Sequence, residues 1–244
     1  MRLKVDKNVL DAIRNSDLDE VKKLIINMDI CENKREYREF ILESFKGLKV
    51  NIFDYLISLI NIDEFHDDGD RPLLFYAINE IDFTDDIYDI HFDMILHMMD
   101  RMTDINATDY ANDTALNHIM YEYNGHNLLG DKLRNIILEL LKRGINPNIS
   151  GDSDLTAFSM AVNNLDFELL EFLVENSVHK VGIEPVIEAI LEANYDMIEY
   201  LIPHINDINA RDGNGHTALW HAKNPDTGIN SDIVELLEMN GALV

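Results

Sequence analysis

Short apolar segments that end on a small residue recur along this 244-residue chain. Each segment spans six residues and carries apolar side chains at the spacing of a short helix. They end at Ala12 (KNVLDA), Ser44 (EFILES), Ala77 (PLLFYA), Ile119 (TALNHI), Ala161 (TAFSMA), Ala189 (EPVIEA) and Ala222 (TALWHA). Three of the six intervals between these ends match a period of about 33 residues to within one residue, which predicts a repeat architecture rather than one globular core.

A second amphipathic segment follows each of the first ones. In four of the seven units it begins eight residues after the last position of the first segment, while the gap is nine residues longer in units three and four and three residues longer in unit seven. The segments are EVKKLI, IFDYLI, MILHMM, IILELL, LLEFLV, MIEYLI and IVELLE, beginning at Glu20, Ile52, Met94, Ile136, Leu169, Met197 and Ile233. Each unit is therefore predicted to be two helices, and units three and four each contain an insertion of nine residues.

Turn-forming residues separate the units. Thr217 is predicted to start the first helix of unit seven, because its hydroxyl can accept amide protons of the first turn, and Asn240 and Gly241 are suited to the helix end. TALWHA closely resembles the TPLHxA signature of the ankyrin repeat, and IVELLEMNGA resembles the family's second helix. The turns DINATD, INPNISGD and DINARD resemble its hairpin motif.

The resemblance to the ankyrin-repeat family implies an all-α fold. We expect a solenoid of about seven helix-turn-helix repeats with short β-hairpin-like turns, in which stacked neighbours supply the core. A single domain over residues 1–244 would hold repeats at about 5–36, 37–69, 70–111, 112–153, 154–181, 182–214 and 215–244. Trp220, the lone tryptophan, occupies the family's histidine position and is interpreted as structural.

Composition narrows the functional classes. The chain is 46% hydrophobic and 27% charged, which is typical of a folded protein, and it has one cysteine, Cys31, no apolar leader and no apolar run of membrane-spanning length. We expect a cytoplasmic monomer with no membrane association. The abundance of Asn, Ile and Asp is compatible with a viral or intracellular bacterial source, where it would meet host proteins.

The net charge of -26 is unevenly distributed. Residues 1–49 hold 11 bases and 10 acids, whereas residues 50–244 hold 9 bases and 36 acids. Proteins bind nucleic acid by neutralising its phosphates with Lys and Arg, so direct binding to DNA or RNA is not expected. An acidic surface instead attracts a protein partner with a basic surface.

Catalytic signatures are missing from the sequence. It has no Gly-rich phosphate loop, no GxSxG, HExxH or CxxC motif and no EF-hand spacing. The nine histidines are scattered over turns and helices, and the DDGD run at residues 67–70 is interpreted as a hairpin tip. We expect no catalytic residue, no metal ion and no cofactor.

Residues 63–93 are the most informative segment, with eleven acids, one base and interleaved aromatics. They either solvate an exposed loop whose aromatics pack on the helices, or form a docking surface in which acids steer a basic partner onto aromatic anchors. The insertion of unit four and the fifth positions of the first segments, which face the concave surface in ankyrin repeats, add further candidates. The candidate protein-binding residues are Asp68, Asp70, Tyr76, Asp82, Asp85, Asp86, Tyr88, Asp89, Phe92, Tyr110, His118, Tyr121, Tyr123 and Met160.

Two functions remain open. The ankyrin resemblance implies a non-catalytic protein that binds another protein, as an adaptor or inhibitor, through its concave surface and the two insertions. The charge suggests the alternative of an acidic mimic of nucleic acid that occupies the DNA- or RNA-binding surface of a basic protein. Binding by such a mimic would weaken steeply with salt.

Overall fold

Seven consecutive pairs of helices make up the described part of the chain. The structure is a computed structural model that describes residues 6–66, 71–81, 85–123, 130–224 and 231–244. Within these residues there are fourteen α-helices and no sheet, and the extended pairings are the isolated bridges His66 to Pro72 and Val181 to Ile205. The predicted all-α ankyrin-repeat fold is confirmed. No helix in the described ranges combines the length and the apolar character that crossing a bilayer requires.

The chain divides into two compact units, Met1–Tyr110 and Ala111–Val244. The first contains three of the pairs and the second contains four. The helices of the first unit are α1 (Lys7–Arg14), α2 (Leu18–Ile25), α3 (Lys34–Lys46), α4 (Val50–Ser58), α5 (Leu73–Asn79) and α6 (Asp85–Met99). Those of the second unit are α7 (Ala115–Tyr123), α8 (Gly130–Lys142), α9 (Ala157–Asn163), α10 (Phe167–Asn176), α11 (Glu184–Leu191), α12 (Tyr195–Leu201), α13 (Ala218–Lys223) and α14 (Ser231–Met239).

Neighbouring pairs supply the core within each unit. The two helices of a pair contact each other, α1 also packs on α3, and α11 packs between α9 and α13. The position that ends each predicted first segment is fully buried in five repeats and 6% or less exposed in the other two. A small side chain is favoured there because helices approach closely. A pair of short helices cannot bury its apolar face alone, so each unit depends on this stacking.

Helix starts follow the predicted capping chemistry. The Thr217 hydroxyl accepts the N–H of Trp220 at 3.3 Å, and the Thr156 hydroxyl accepts the N–H of Ser159 at 3.0 Å. The second helices α2 and α10 use carboxylates instead, since Asp17 accepts the N–H of Glu20 and Asp166 accepts the N–H of Leu169, both at 2.9 Å. These side chains satisfy amide protons that have no partner inside the helix.

The insertion of repeat three lengthens a helix. The sequence places the second segment of this repeat at Met94, but α6 begins at Asp85, nine residues earlier. In repeat four the corresponding helix begins at Gly130, six residues before the predicted start, and residues 124–129 lie outside the described ranges. The helical segment is longer than predicted because the apolar periodicity of α6 continues backwards through Ile95, His91 and Tyr88, all of which are buried.

Left-handed residues join the two helices of several pairs. Leu165 has φ +54°, and Ser16, Leu48 and Ala193 occupy the same position in their own repeats with φ of 61°, 56° and 51°. A side chain with a Cβ is strained in this region, whereas glycine is not. Leu165 is also 58% exposed, so its side chain contributes little packing.

Replacing Leu165 with glycine is expected to raise the free energy of unfolding by about 0.5–1 kcal/mol, because relief of the left-handed strain exceeds the entropy that glycine loses on folding. Urea unfolding followed by circular dichroism measures the change. Leu191→Gly is the matched control, since Leu191 is 45% exposed but is the last residue of α11. The control should lower stability, and a lowered midpoint for Leu165→Gly would contradict the prediction.

Candidate functional site

The acidic segment of the first unit presents fewer aromatics than its sequence suggests. Tyr88 is only 3% exposed and stacks on Phe92 with ring centroids 5.7 Å apart, whereas Asp89 is exposed. Tyr88 was expected at the surface as an anchor but lies in the core, because it shares a helix face with buried residues of α6. Asp68, Asp70 and Asp82 lie outside the described residues, as do the side chains of Asp85 and Asp86.

Tyr76 is held by a lysine. The Nζ of Lys46 donates to the Tyr76 hydroxyl at 2.9 Å, lies 5.2 Å from its ring centroid and pairs with Glu80 at 3.1 Å. Burial lowers the pKa of Lys46, but the contacts with Tyr76 and Glu80 outweigh that effect and raise the pKa overall. The charges near Tyr76 are therefore already paired within the first unit.

A different aromatic is presented in the second unit. The ring of Tyr121 on α7 is 40% exposed, and its hydroxyl lies 2.5 Å from the Ser153 Oγ and 3.5 Å from an Asp113 carboxylate oxygen. These contacts fix the phenol in place, so little side-chain entropy remains to be lost on binding. The side chain of Tyr123 lies outside the described residues, and Tyr110, at the end of the first unit, is 73% exposed.

Two successive turns hold Tyr121 from either side. The Asn112 side chain donates to Asp152 at 2.9 Å, and the N–H of Asp152 donates to the Ala111 carbonyl at 2.7 Å. Glycine is favoured at position 151, because a Cβ there would meet the Ala111 carbonyl at 2.9 Å and would displace the Asp113 carboxylate, which would lie 1.9 Å away. We call the resulting surface the finger patch, formed by Asn112, Asp113, Tyr121, Asp152, Ser153 and Asp154.

A buried asparagine anchors the two turns to each other. Asn117 is 1% exposed, and its Oδ1 accepts the N–H of Thr114 at 3.1 Å and also contacts the Thr114 hydroxyl. Its amide nitrogen donates to the carbonyls of Ile149 and Leu155, both at 3.2 Å. One side chain thus connects the start of α7 to both ends of the turn that carries Ser153.

The predicted concave positions of the second unit differ in exposure. His118 is partly exposed, whereas Met160 is 5% exposed, in contrast to the expectation that it contributes to a contact patch. The difference has a packing cause, since α9 lies between α7 and α11 and both neighbours cover it. The structure therefore brings together Tyr121 and turn residues, and it does not bring Met160 to the surface.

A polar cluster lies in the last repeat. The Oδ2 of Asp212 lies 2.8 Å from the Nε2 of His221, while its Oδ1 accepts the N–H groups of Asn214 at 2.9 Å and His216 at 2.8 Å. The imidazole of His216 stacks on the indole of Trp220, with centroids 3.6 Å apart and planes 4° apart. One ligand atom from each of Asp212, His216 and His221 can be chosen so that all three lie within 4.8 Å of one another.

Nearby charges shape the titration of this cluster. Desolvation raises the pKa of Asp212, but the hydrogen bonds from the His216 N–H, His221 and the Asn214 N–H outweigh it and lower the pKa overall. On the adjacent α11, burial and then Glu192 raise the pKa of Glu188, and His221 opposes them. His221 therefore lies in the electrostatic field of two carboxylates, Asp212 in the turn and Glu188 on α11.

Comparison with known protein families matches the C-terminal part of the chain. The sequence model of a family described as ankyrin repeats, in three copies, matches residues 158–243. Residues 158–243 are ankyrin repeats. A search of curated protein sequences finds no match.

Solved structures include ankyrin-repeat domains similar to this ankyrin-repeat protein. The ankyrin repeat domain of Bcl-3, described as a unique member of the IkappaB protein family, is 13% identical, with a TM-score of 0.59 over 97% of this chain and 100% of that chain. An ankyrin repeat domain from Acinetobacter baumannii AYE is 17% identical, with a TM-score of 0.45 over 96% of this chain and 98% of that chain. At such identity the Bcl-3 likeness shows the fold alone.

Sequence reasoning missed residues of this ankyrin-repeat protein that the structure brings together. Asp113, Asp152 and Ser153 read as turn formers, and nothing in their spacing points to Tyr121, which is separated from Ser153 by a whole repeat. The cluster of Asp212, His216 and His221 could have been found from the spacing of these residues in the sequence. Its three members follow the spacing DxxxHxxxxH, which a search for ligands on one turn and the following helix would find.

Proposed function

We propose that this ankyrin-repeat protein is a non-catalytic binding protein that holds a partner with a basic surface against the finger patch, as an adaptor or an inhibitor. Ankyrin repeats are generally modules of protein–protein interaction. The observation that supports this surface is Tyr121, an exposed aromatic fixed by two turns and surrounded by carboxylates. Rigid aromatics are frequent anchors of interfaces, and acids around them steer basic partners.

The cellular setting follows from composition and charge. Cys31 is the lone cysteine and is exposed, which fits a reducing cytoplasm. This cytoplasm could belong to the cell that makes the protein or to a host cell. The net charge of -26 opposes direct contact with nucleic acid and favours a monomer, since copies of the chain repel one another. We place the protein in the cytoplasm as a monomer without membrane contact.

The expected result for Tyr121→Ala is loss of the captured partner, with affinity reduced about tenfold or more, as for an interface anchor. Wild-type protein biotinylated at Cys31 captures partners from a lysate of the native host, and quantitative mass spectrometry compares the variant with wild type. A partner that binds Tyr121→Ala as tightly as wild type would overturn the assignment of this surface.

The contribution of charge is measured separately. The pair Asp152→Asn and Asp154→Asn removes two exposed carboxylates, and asparagine tolerates the left-handed φ of +58° at residue 154. The matched control, Asp196→Asn with Glu199→Gln, removes two exposed acids from α12. The patch pair should slow association at low salt, and the control pair should not.

The charge also supports a second candidate, an acidic mimic that occupies a nucleic-acid-binding surface. Residues 50–244 hold 36 acids against 9 bases, which motivates it. The pairing of Lys46 with Glu80 beside Tyr76 weakens this second candidate. Such binding would fall steeply with salt and depend on many acids at once, whereas the finger patch should depend on Tyr121 at every salt concentration.

A further inference from the structure

The cluster of the last repeat has the composition of a metal site. Asp212, His216 and His221 supply one carboxylate oxygen and two imidazole nitrogens, all within 4.8 Å of one another. We propose that these three residues bind one divalent transition-metal ion of the zinc class. The ion connects the turn at residues 212–216 to α13.

The donor set selects the kind of ion. Imidazole nitrogen with carboxylate oxygen suits Zn²⁺ and its neighbours Co²⁺, Ni²⁺ and Cu²⁺, whereas Mg²⁺ and Ca²⁺ prefer oxygen donors throughout. Three protein ligands leave a further position for solvent on a four-coordinate ion. The side chains of His221 and Asp212 are 14% and 15% exposed, so the cluster is partly shielded but still open to water.

The carboxylate is already oriented for this role. The two backbone N–H groups that reach the Asp212 carboxylate, those of Asn214 and His216, both donate to its Oδ1, and its Oδ2 faces His221 at 2.8 Å. Hydrogen bonds that fix a ligand carboxylate commonly surround metal sites and raise affinity. An ion bound by both groups would take the place of this direct contact.

The second imidazole is positioned by stacking. Its ring lies parallel to the Trp220 indole at 3.6 Å and edge-on to His221 at 5.7 Å, measured between centroids. Ligand atoms on a tetrahedral zinc ion are about 3.3 Å apart, so ligand atoms that now lie within 4.8 Å of one another have to approach by at most about 1.5 Å. The turn backbone beside His216 is open, since a Cβ placed on Gly213 or Gly215 would meet nothing within 4 Å.

The electrostatic surroundings favour a cation. Glu188 acts on His221 from α11, Glu192 lies close enough to affect Glu188, and the whole chain carries a charge of -26. The guanidinium of Arg211 donates to the Gly215 carbonyl at 2.6 Å, which ties this positive group to the turn backbone. The carboxylates of Asp212 in the turn and Glu188 on α11 thus both act on His221.

The test uses the full chain with Cys31→Ser, so that the exposed thiol cannot bind the metal. Equilibrium dialysis against ZnCl₂, with excess Mg²⁺ to occupy the acidic surface, should give one zinc per chain. Co²⁺ should quench the fluorescence of Trp220, the lone tryptophan, because the indole stacks directly on a ligand ring. Added Zn²⁺ should also raise the melting temperature, as any ligand of the native state does.

Variants locate the site. His216→Ala and His221→Ala should each weaken zinc binding by about ten- to hundredfold or more, the loss usual for groups that only support a ligand. His204→Ala is the matched control, since His204 contacts Tyr200 outside the cluster, and it should bind zinc like the parent. His216→Gln repeats the test if His216→Ala fails to fold, as judged by circular dichroism.

Three outcomes would overturn the proposal. The parent protein could retain no zinc in the presence of Mg²⁺. His204→Ala could lose as much zinc affinity as the cluster variants. Co²⁺ could bind and leave the fluorescence of Trp220 unchanged. None of these results bears on partner binding by the finger patch, which is formed by the turns of earlier repeats.

Discussion

Replacing Asn117 with alanine is expected to lower the free energy of unfolding by about 2–4 kcal/mol, because it leaves one buried and two partly buried backbone groups without their partner. These are the N–H of Thr114 and the carbonyls of Ile149 and Leu155. A buried polar group that loses its hydrogen bond incurs most of its desolvation cost, which exceeds what the bond contributes when it is made.

The measurement is urea unfolding followed by Trp220 fluorescence, since Asn117 and Trp220 belong to the same compact unit. Asn163→Ala is the matched control, because Asn163 is exposed on α9, and its midpoint should stay close to wild type. A midpoint for Asn117→Ala as close to wild type as that of the control would show that water replaces the lost bonds.

The same substitution links stability to the proposed function. Asn117 holds the turn that carries Ser153, and Ser153 in turn fixes the hydroxyl of Tyr121. Loosening this turn should reduce partner binding even though Asn117 is 1% exposed and cannot touch a partner. The finger patch therefore depends on a residue in the core of the repeat stack.

The repeat architecture could be predicted from sequence because its signals are local. The helix period and turn residues recur from repeat to repeat, threonines cap the first helices of repeats five and seven, and all seven helix pairs are present as expected. The extension of α6 was missed because Asp85, Asp86 and Asp89 suggest a solvated loop. Its other face, with Tyr88 and Ile95, is apolar, and burial of that face outweighs the charges.

The candidate surface was harder to predict because it depends on contacts between repeats. Tyr121 is in the predicted set, but its partners lie 8 and 32 residues away, in turns whose Asn, Asp and Ser residues have an obvious local role. For Met160 the prediction was wrong in the opposite direction, because a residue expected at the surface is buried. Its register position indicates exposure, while the helices on both sides of α9 bury it.

Ile119 tests whether family pattern or local packing determines stability. Five of the seven repeats end their first segment on alanine, so the repeat pattern suggests that Ile119→Ala would stabilise the fold. Ile119 is 0% exposed, however, as is Leu116 on the same helix, and Met120 beside it is 1% exposed. The Ile119 side chain therefore fills space that alanine would leave empty.

Ile119→Ala is expected to lower the free energy of unfolding by about 2–5 kcal/mol, because removal of a buried isoleucine leaves a cavity that its surroundings fill only in part. The reciprocal change Ala161→Ile should lower it by about 1–3 kcal/mol, since Ala161 is 0% exposed and has no room for added methyl groups. Urea midpoints monitored through Trp220 compare the two. A rise in stability for Ile119→Ala would mean that this residue is strained in its repeat and that alanine is preferred there too.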